Sequence, residues 1–260
     1  YQLLYTCYIE QGFLKPQKNK MHILPHFVLP TSCTLIAKYK EETIGTLSII
    51  KSNTLKLPME KEFTLNIADR DSGNYAEISA LAVNKDFRRQ QGGTVFFYLL
   101  KFMYHFCVSN LNIRHLYIVI DPKDEDFYAA LLFFERVPGQ PIIKYMDAPA
   151  LAMHLDLHLA LKKFKDVYLG RSTQNDLYTF FTQETKELKF IRRLYHFREF
   201  AVVTPQIFSS LFLQKGQLFQ KISYSDFLSL KRALKNTQLE HFFHQQTFPQ
   251  NELRKEIRYD

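Results

Sequence analysis

The chain has 260 residues, of which 46% are hydrophobic, enough for one large domain or for an ordinary domain with a smaller one. No apolar run approaches the roughly 20 residues of a membrane-spanning helix. Lys15, Lys18 and Lys20 interrupt any secretory signal near the N-terminus. The three cysteines lie far apart and without metal-ligand spacing, so we expect reduced thiols and a cytoplasmic protein.

The net charge of +8 is concentrated towards the C-terminus. The last hundred residues contain 17 Lys and Arg against 10 Asp and Glu, whereas the first 160 are nearly balanced, with 17 against 16. This asymmetry predicts two regions, 1–160 and 161–260. The second region is expected to face an acidic partner or an anionic surface.

The first predicted element is a helix within residues 1–14. Two strands, Cys33–Tyr39 and Glu42–Ile50, follow on either side of a short turn. A polar excursion over Lys51–Asn74, with one short helix, leads to Tyr75–Val83. That strand is apolar enough to be central in a sheet.

A strongly apolar helix is predicted over Thr94–Val108, followed by a strand over His115–Asp121. A helix over Lys123–Phe134 and a last strand over Pro149–Leu159 come next. The alternation of strands and helices predicts a mixed α/β fold with a parallel crossover in its middle.

The last hundred residues are predicted to be helical. One helix is expected within Ser172–Phe200. A second begins at Thr204–Pro205, a capping residue followed by proline, and ends at Gly216. A third is predicted to be capped by Ser225 and to run through Leu234.

The stretch RRQQGGT lies where the central strand gives way to the Thr94 helix. Helix N-termini expose free N–H groups and a partial positive charge, and glycines let the backbone approach an anion closely. A tight turn with two solvated arginines is the alternative interpretation. The candidate residues for binding such an anion are Val83, Arg88, Arg89, Gln90, Gln91, Gly92, Gly93 and Thr94.

The spacing Arg89-x-x-Gly92-x-Thr94 resembles the acyl-coenzyme A signature of the GNAT acetyltransferases, with Thr in place of the usual Gly or Ala. The segments TLIAKYKEETIGTLSIIKSNTLKLPMEKEF, AEISALAVNKDFRRQQGG, IDPKDEDFYAALLFFE and YMDAPALAMHLDL follow one another in order. Together they resemble the long-chain N-acyl amino acid synthases of the FeeM type over residues 1–160. The resemblance implies a GNAT-like mixed sheet with splayed central parallel strands, as in the related autoinducer synthases.

The resemblance also implies an acyltransferase. It would move a long-chain acyl group from acyl-acyl carrier protein, or from acyl-coenzyme A, to the amine of an amino acid. Because the donor is a substrate, no permanently bound cofactor is expected. Three alternatives stay open: an acyl-homoserine lactone synthase, which usually carries tryptophans absent here, an acetyl-coenzyme A-dependent acetyltransferase, and a non-enzymatic acyl-lipid sensor.

Three residues receive catalytic roles from this resemblance. Glu77 is predicted to be the base that deprotonates the acceptor ammonium, its pKa raised by burial. Ser79, two residues on, shares its strand face and can hydrogen-bond the substrate or the thiolate. Tyr128 is predicted to protonate the leaving thiolate. The alternatives are a carboxylate bound to neighbouring backbone, a small core serine and a packing tyrosine.

The amides of Gln90–Thr94 are expected to hold the donor's phosphate, while Lys85, Arg88 and Arg89 meet an acidic carrier surface. A long acyl chain requires a deep apolar tunnel, since each buried methylene contributes about 0.8 kcal/mol. Candidate tunnel residues are Phe96, Phe97, Phe133 and Phe134.

The chain departs from the family pattern at three places. Asp121-Pro122-Lys123-Asp124 replaces asn-pro-arg-his, and Leu132-Phe133-Phe134 replaces leu-gly-phe. Ala80 stands where an arginine often follows on the central strand. The third change is the one expected to alter acceptor recognition.

Two further patterns bear on ligands. MHLDLH places His154, Asp156 and His158 on one face of the predicted last strand, at a spacing that can bind a metal. No other ligand is signposted, so no metal is expected. Lys189–Phe200 interleaves basic and aromatic residues. We expect the basic region to dock a carrier protein, mediate dimerisation or contact a membrane surface, with no nucleic-acid partner and the oligomeric state open.

Overall fold

A computed structural model describes residues 1–51, 55–67, 73–88, 93–172, 175–190 and 203–244. Within these ranges the chain forms a seven-stranded mixed sheet with helices on both faces. Helix α1 spans Gln2–Glu10, and strands β1 (Ser32–Tyr39) and β2 (Glu42–Lys51) pair antiparallel. The short helix predicted in the polar excursion is a 3-10 turn at Pro58–Lys61.

The centre of the sheet is a parallel crossover. Strand β3 (Tyr75–Val83) leads into helix α2 (Thr94–Ser109), which returns the chain to strand β4 (His115–Ile120) beside β3. A 3-10 turn at Pro122–Asp124 then begins helix α3 (Glu125–Leu132). The observed bounds of β3 are those predicted from the sequence, Tyr75–Val83.

Strands β5 (Glu135–Arg136), β6 (Ile143–Tyr145) and β7 (Ala148–Asp156) complete the sheet. The strand order is β1-β2-β3-β4-β7-β5, with β6 paired to β7. The predicted mixed α/β fold with one central parallel pair and a helical C-terminal region is therefore confirmed.

Strands β3 and β4 pair over a short distance and then diverge. Their registered pairs end at Glu77 and Tyr117, although β3 continues to Val83. On its other side β3 carries a β-bulge, because Ala80 and Leu81 together oppose one residue of β2. Such bulges bend the strand that carries them. The splayed parallel strands implied by the family resemblance are thus observed.

Ala80 has the strained backbone conformation in this bulge. Its φ of 54° lies in the left-handed region, which costs roughly 1–2 kcal/mol for a residue with a Cβ. Its side chain is nevertheless buried. The position where the family often has an arginine therefore carries a strained, buried alanine that points away from solvent.

The sheet separates two hydrophobic cores. On the α2 face, α2 packs with helices α4 (Leu157–Tyr168) and α5 (Leu177–Thr182). On the α1 face, α1 shares a core with the C-terminal helices. Those helices are α6 (Phe208–Lys215, a π-helix opened by Pro205–Ile207), α7 (Leu218–Lys221), α8 (Tyr224–Ala233) and α9 (Glu240–His244).

The boundary predicted at residue 160 falls inside α4, whose Ala160 and Phe164 are buried on the α2 face. None of the helices in the described ranges is both long enough and apolar enough to cross a lipid bilayer. Of the basic-aromatic stretch Lys189–Phe200, residues 191–200 lie outside the described residues.

The last strand ends earlier than the sequence predicted. Asp156 caps α4, because its carboxylate accepts hydrogen bonds from the amides of His158 (2.9 Å) and Leu159 (3.2 Å). His158 therefore lies on a helix, and the predicted alignment of His154, Asp156 and His158 on one strand face is wrong. His154 instead contacts His115, at 3.1 Å between ring nitrogens. The described residues contain no group of three His, Cys, Asp or Glu side chains arranged to hold a metal.

Two helix predictions also change. Ser223, rather than Ser225, caps α8 by accepting a hydrogen bond from the Asp226 amide. The helix predicted within Ser172–Phe200 is divided, since residues 183–185 separate α5 from a helical segment at 186–190. By contrast, Thr204 caps the next helix and Gly216 ends it, as predicted.

Replacing Asp156 tests the cap of α4. Asp156→Ala is expected to lower the free energy of unfolding by about 1 kcal/mol more than Asp156→Asn, because asparagine also caps helices. Both variants lose the ion pair with Arg114 (3.0 Å), so their difference isolates the cap. Urea denaturation of the two variants measures it, and equal losses would contradict the assignment.

Candidate active site

The gap between β3 and β4 opens into a cavity of about 850 Å³. Pockets that bind small molecules commonly have roughly 300–1,000 Å³. Every β3 residue from Glu77 to Val83 lines it, as do Ile118 to Asp121 at the end of β4. Residues from both faces of the sheet contribute to the lining, so the cavity passes through the sheet.

The two sides of the cavity differ in chemistry. The half on the α2 face, called the apolar half, is lined by Ile78, Phe96, Phe97, Leu100, Met103, Ile118 and Phe134. The half on the α1 face, called the polar half, contains Tyr8, Phe13, His22, Glu62, Glu77 and Tyr145 beside apolar residues such as Leu24 and Ala150. One half therefore suits an alkyl chain and the other a polar group.

Glu77 lies at the point where the two central strands separate. Its side chain is 3% exposed, and its carboxylate accepts a hydrogen bond from the Met59 amide at 2.8 Å. Burial raises the pKa of Glu77 to about 8, with the charge of Glu60 adding to the rise and the Met59 amide opposing it. A carboxylate with such a pKa can exchange a proton near neutral pH, as a general base requires.

The turn at Pro58–Lys61 supplies the Met59 amide. The Leu57 amide donates to the Glu60 carboxylate at 2.8 Å, which closes the turn. The Lys61 ammonium lies 3.0 Å from the Asp226 carboxylate of α8. The sequence predicted a polar excursion with one short helix here, yet the segment buries six apolar side chains: Leu55, Leu57, Pro58, Met59, Phe63 and Leu65.

Two further tyrosines lie near Glu77. Burial raises the pKa of both Tyr8 and Tyr145, and the charge of Glu77 adds to each rise. A hydrogen bond from the Ala80 amide to the Tyr8 hydroxyl opposes the rise. Sequence reasoning missed both tyrosines, because neither the N-terminal helix nor the short strand β6 distinguishes them from packing residues.

Tyr128 projects from α3 into the same cavity as Glu77. Burial raises its pKa to about 12, with the charge of Asp124 adding to the rise. Its ring packs edge-on against Phe127 at 5.4 Å and Phe134 at 5.9 Å between centroids. Its hydroxyl therefore keeps its proton at neutral pH and is able to donate it.

Ser79 lines the cavity two residues after Glu77, on the same side of β3. It stands opposite Ser48 in the register of β2, and the Ser48 hydroxyl shares a hydrogen bond of 2.8 Å with Thr34. The structure thus brings all three predicted catalytic residues, Glu77, Ser79 and Tyr128, to one cavity, while their roles stay predictions.

The predicted anion-binding turn is described only at its edges. Arg89, Gln90, Gln91 and Gly92 lie outside the described residues. Gly93 caps α2 with a φ of 80° and lines the cavity, and Thr94 is the first residue of α2. The N-terminus of α2 therefore borders the cavity, while the phosphate-binding role predicted for this turn stays a prediction.

Arg88 is bonded inward rather than free at the surface. Its Nε donates to the Val83 carbonyl at 2.8 Å, and its Nη2 lies 3.1 Å from the Glu10 carboxylate. The Cys7 thiol also donates to the Val83 carbonyl, at 3.5 Å. Arg88 thus joins the end of β3 to α1 at the margin of the cavity.

The protein-family model described as N-acyl amino acid synthase FeeM matches residues 1–156.

The chain belongs to the FeeM family of N-acyl amino acid synthases. It is an acyltransferase, as the linked motifs around Glu77 and Tyr128 predicted, and the resemblance to this family is confirmed.

Solved structures were also compared with this FeeM-family chain. The structure of FeeM, an N-acyl amino acid synthase from uncultured soil microbes, is 24% identical. The matched region covers 62% of this chain and 84% of the FeeM chain, with a TM-score of 0.51. The acyl-homoserine lactone synthase LasI is 16% identical, with coverages of 60% and 80% and a TM-score of 0.48. The coenzyme A-dependent synthase BjaI is 16% identical, with coverages of 64% and 78% and a TM-score of 0.47. No curated protein matches the chain.

One departure from the FeeM-family pattern has a visible structural cost. Phe133, which stands in place of a glycine, ends α3 in the left-handed conformation with a φ of 61°. Its ring packs against Phe164 at 5.0 Å and does not line the cavity. The prediction that Phe133 lines the acyl tunnel is therefore wrong, whereas Phe96, Phe97 and Phe134 do line the cavity.

Replacing the Met59 amide tests the hydrogen bond to Glu77. Met59→Pro removes the N–H, and proline is tolerated in the first turn of a helix. The pKa of Glu77 is expected to rise above about 8, because its carboxylate loses a donor. Carbon-13 NMR titration measures the change, with Glu77→Gln to assign the signal. Met59→Ala keeps the amide and serves as the control, so an equal rise in both variants would contradict the assignment.

The raised pKa of Glu77 also links stability to pH. The folded state holds the Glu77 proton up to about pH 8, whereas the unfolded state releases it near 4.5. The contribution of Glu77 to stability is therefore full below about pH 4.5 and is lost as pH rises through about 8. Glu77→Gln should gain stability relative to the wild type as pH rises across this window. Urea denaturation at both ends of the window checks it, and a constant difference would contradict the assignment.

Proposed function

We propose that this protein transfers a long-chain acyl group from an acyl thioester to the amine of an amino acid. The observation that carries the proposal is Glu77, a buried carboxylate with a raised pKa. It lies where a polar half-cavity meets an apolar one. A base at that junction lies between an amine on one side and an acyl chain on the other.

The first step is activation of the acceptor. An amino acid presents an ammonium group at neutral pH, and a protonated nitrogen cannot attack a thioester. The ionised Glu77 takes one proton from the ammonium in the polar half. Ser79, on the same side of β3, holds the acceptor by a hydrogen bond. Binding both substrates in one cavity replaces a slow encounter with an oriented reaction.

The amine then attacks the thioester carbonyl, and a C–N bond forms. Within the described residues, the segment of β3 from Ile78 to Val83 pairs with no strand on the β4 side. Backbone amides of this segment are suited to stabilise the oxyanion. As the C–S bond breaks, the sulfur takes a proton from Tyr128, and the second proton leaving the nitrogen restores the Tyr128 hydroxyl.

The donor is proposed to be acyl-acyl carrier protein, with acyl-coenzyme A as the alternative. Both carry a phosphate that the amides of Gln90–Thr94 would hold at the start of α2. Gly93 supports this placement, because it borders the cavity in a conformation that favours glycine. Acyl chains enter the apolar half, which is formed by aliphatic and aromatic side chains.

The test is acyl transfer by the purified protein, followed by mass spectrometry. Acyl-acyl carrier protein and acyl-coenzyme A are supplied in separate reactions with a mixture of amino acids. Glu77→Gln and Tyr128→Phe are each expected to lower kcat by roughly 10²–10⁴-fold. The wild-type rate should rise with pH through about 8, where Glu77 ionises.

Tyr39→Phe is the matched control, since Tyr39 is exposed on β1, and it should keep the wild-type rate. Unchanged rates in both active-site variants would contradict the mechanism. Binding of acyl donors without any N-acylated product would contradict the proposed reaction and favour an acyl-lipid sensor.

A further inference from the structure

A second, smaller cavity of about 50 Å³ lies behind the apolar half. Three residues, Leu100, Met103 and Phe134, line both cavities and so form the wall between them. The other lining residues are Tyr104, Leu132, Leu155, Leu157, Ala160, Leu161, Phe164, Tyr178 and Phe181. Helices α4 and α5 therefore build its far side.

The lining of this second cavity suits the end of an alkyl chain. Among the described residues that line it, none is charged, and the only hydroxyls are those of Tyr104 and Tyr178. Small apolar cavities of this kind stay dry. A methylene group is similar in size to a water molecule, which occupies about 30 Å³ in the liquid. The second cavity, of about 50 Å³, therefore has room for roughly two methylene groups.

Met103 is the adaptable part of the wall. It is buried at the centre of the α2 face. Methionine is unbranched and has three rotatable bonds, so it repacks more readily than leucine or phenylalanine. A chain pressing on this wall would meet least resistance at Met103.

We propose that the acyl chain of the donor ends at the Met103 wall and that the pocket built by α4 and α5 receives its last carbons. The proposal rests on the proposed function, since it assumes a long-chain acyl thioester in the apolar half. Helices α4 and α5 follow the residues 1–156 matched by the family model. Acyl-chain length is therefore selected by a part of the chain outside that match.

Two substitutions change the pocket in opposite directions. Met103→Ala joins the two cavities and should lengthen the preferred acyl chain by roughly two carbons. Ala160→Leu fills the second cavity from α4 and should disfavour the longest chains, by roughly fourfold in kcat/KM for each methylene excluded. The measurement is kcat/KM over a series of saturated acyl thioesters that differ by two carbons.

Met153→Ala is the matched control for Met103→Ala. Met153 is fully buried in the same hydrophobic core but lines neither cavity. It should lose stability without changing the chain-length profile. If Met103→Ala left the profile unchanged, or if Met153→Ala shifted it equally, the proposal would be overturned.

The outcomes of these assays distinguish a failure of the pocket proposal from a failure of the proposed function. Transfer with an unchanged length profile overturns the pocket and leaves the function standing. If no donor supports transfer, the function fails, and displacement of a fluorescent fatty acid from the same variants tests the pocket directly. Thermal unfolding checks that each variant folds. If the overpacked Ala160→Leu variant does not fold, the chain-length profile of Met103→Ala alone tests the proposal.

Discussion

The end of pairing between β3 and β4 after Glu77 is the constraint on which the rest of the site depends. Opening a sheet exposes backbone groups that would be costly if buried without partners. Here other parts of the chain meet that requirement: the Cys7 thiol of α1 and the Arg88 guanidinium both donate to the Val83 carbonyl. The N-terminal helix and the turn after β3 thus act as partners for an opened strand. Their side chains line the cavity because they satisfy that strand.

The same divergence explains the environment of Glu77. At the last paired position its side chain is covered on the α1 face, so burial penalises the charged form. The opposing hydrogen bond comes from the Met59 amide, on a turn joined to α8 through Lys61 and Asp226. The turn also shares its hydrophobic core with the C-terminal helices. The protonation of the proposed base is therefore coupled to packing about 150 residues further along the chain.

Sequence alone predicted the parts of this molecule whose signals are local. The Tyr75–Val83 strand is a bounded apolar run, and Glu77 and Tyr128 belong to motifs with fixed spacing. Tyr8 and Met59 contribute through contacts between distant segments, which no periodicity records. At Asp156 the alternation of LDLHL fits a strand as well as a capped helix, and the two capping hydrogen bonds decide for the helix. The left-handed backbone conformation of Phe133 was not predicted for a similar reason, because it is stabilised by tertiary packing.

The last hundred residues pack behind the cavity, whose described lining comes from residues up to Ala150. Helices α4 and α5 pack behind the apolar half, and α6 to α9 share a core with the turn that holds Glu77. A helical appendage that folded independently would leave both of these walls unsupported. Because the core on the α2 face is continuous across the predicted boundary at residue 160, substitutions in α4 and α5 reach the side chains behind the apolar half without altering β3 or β4. On the proposed function, the two central strands position the reacting groups, and the C-terminal helices pack behind the side chains that line each half of the cavity.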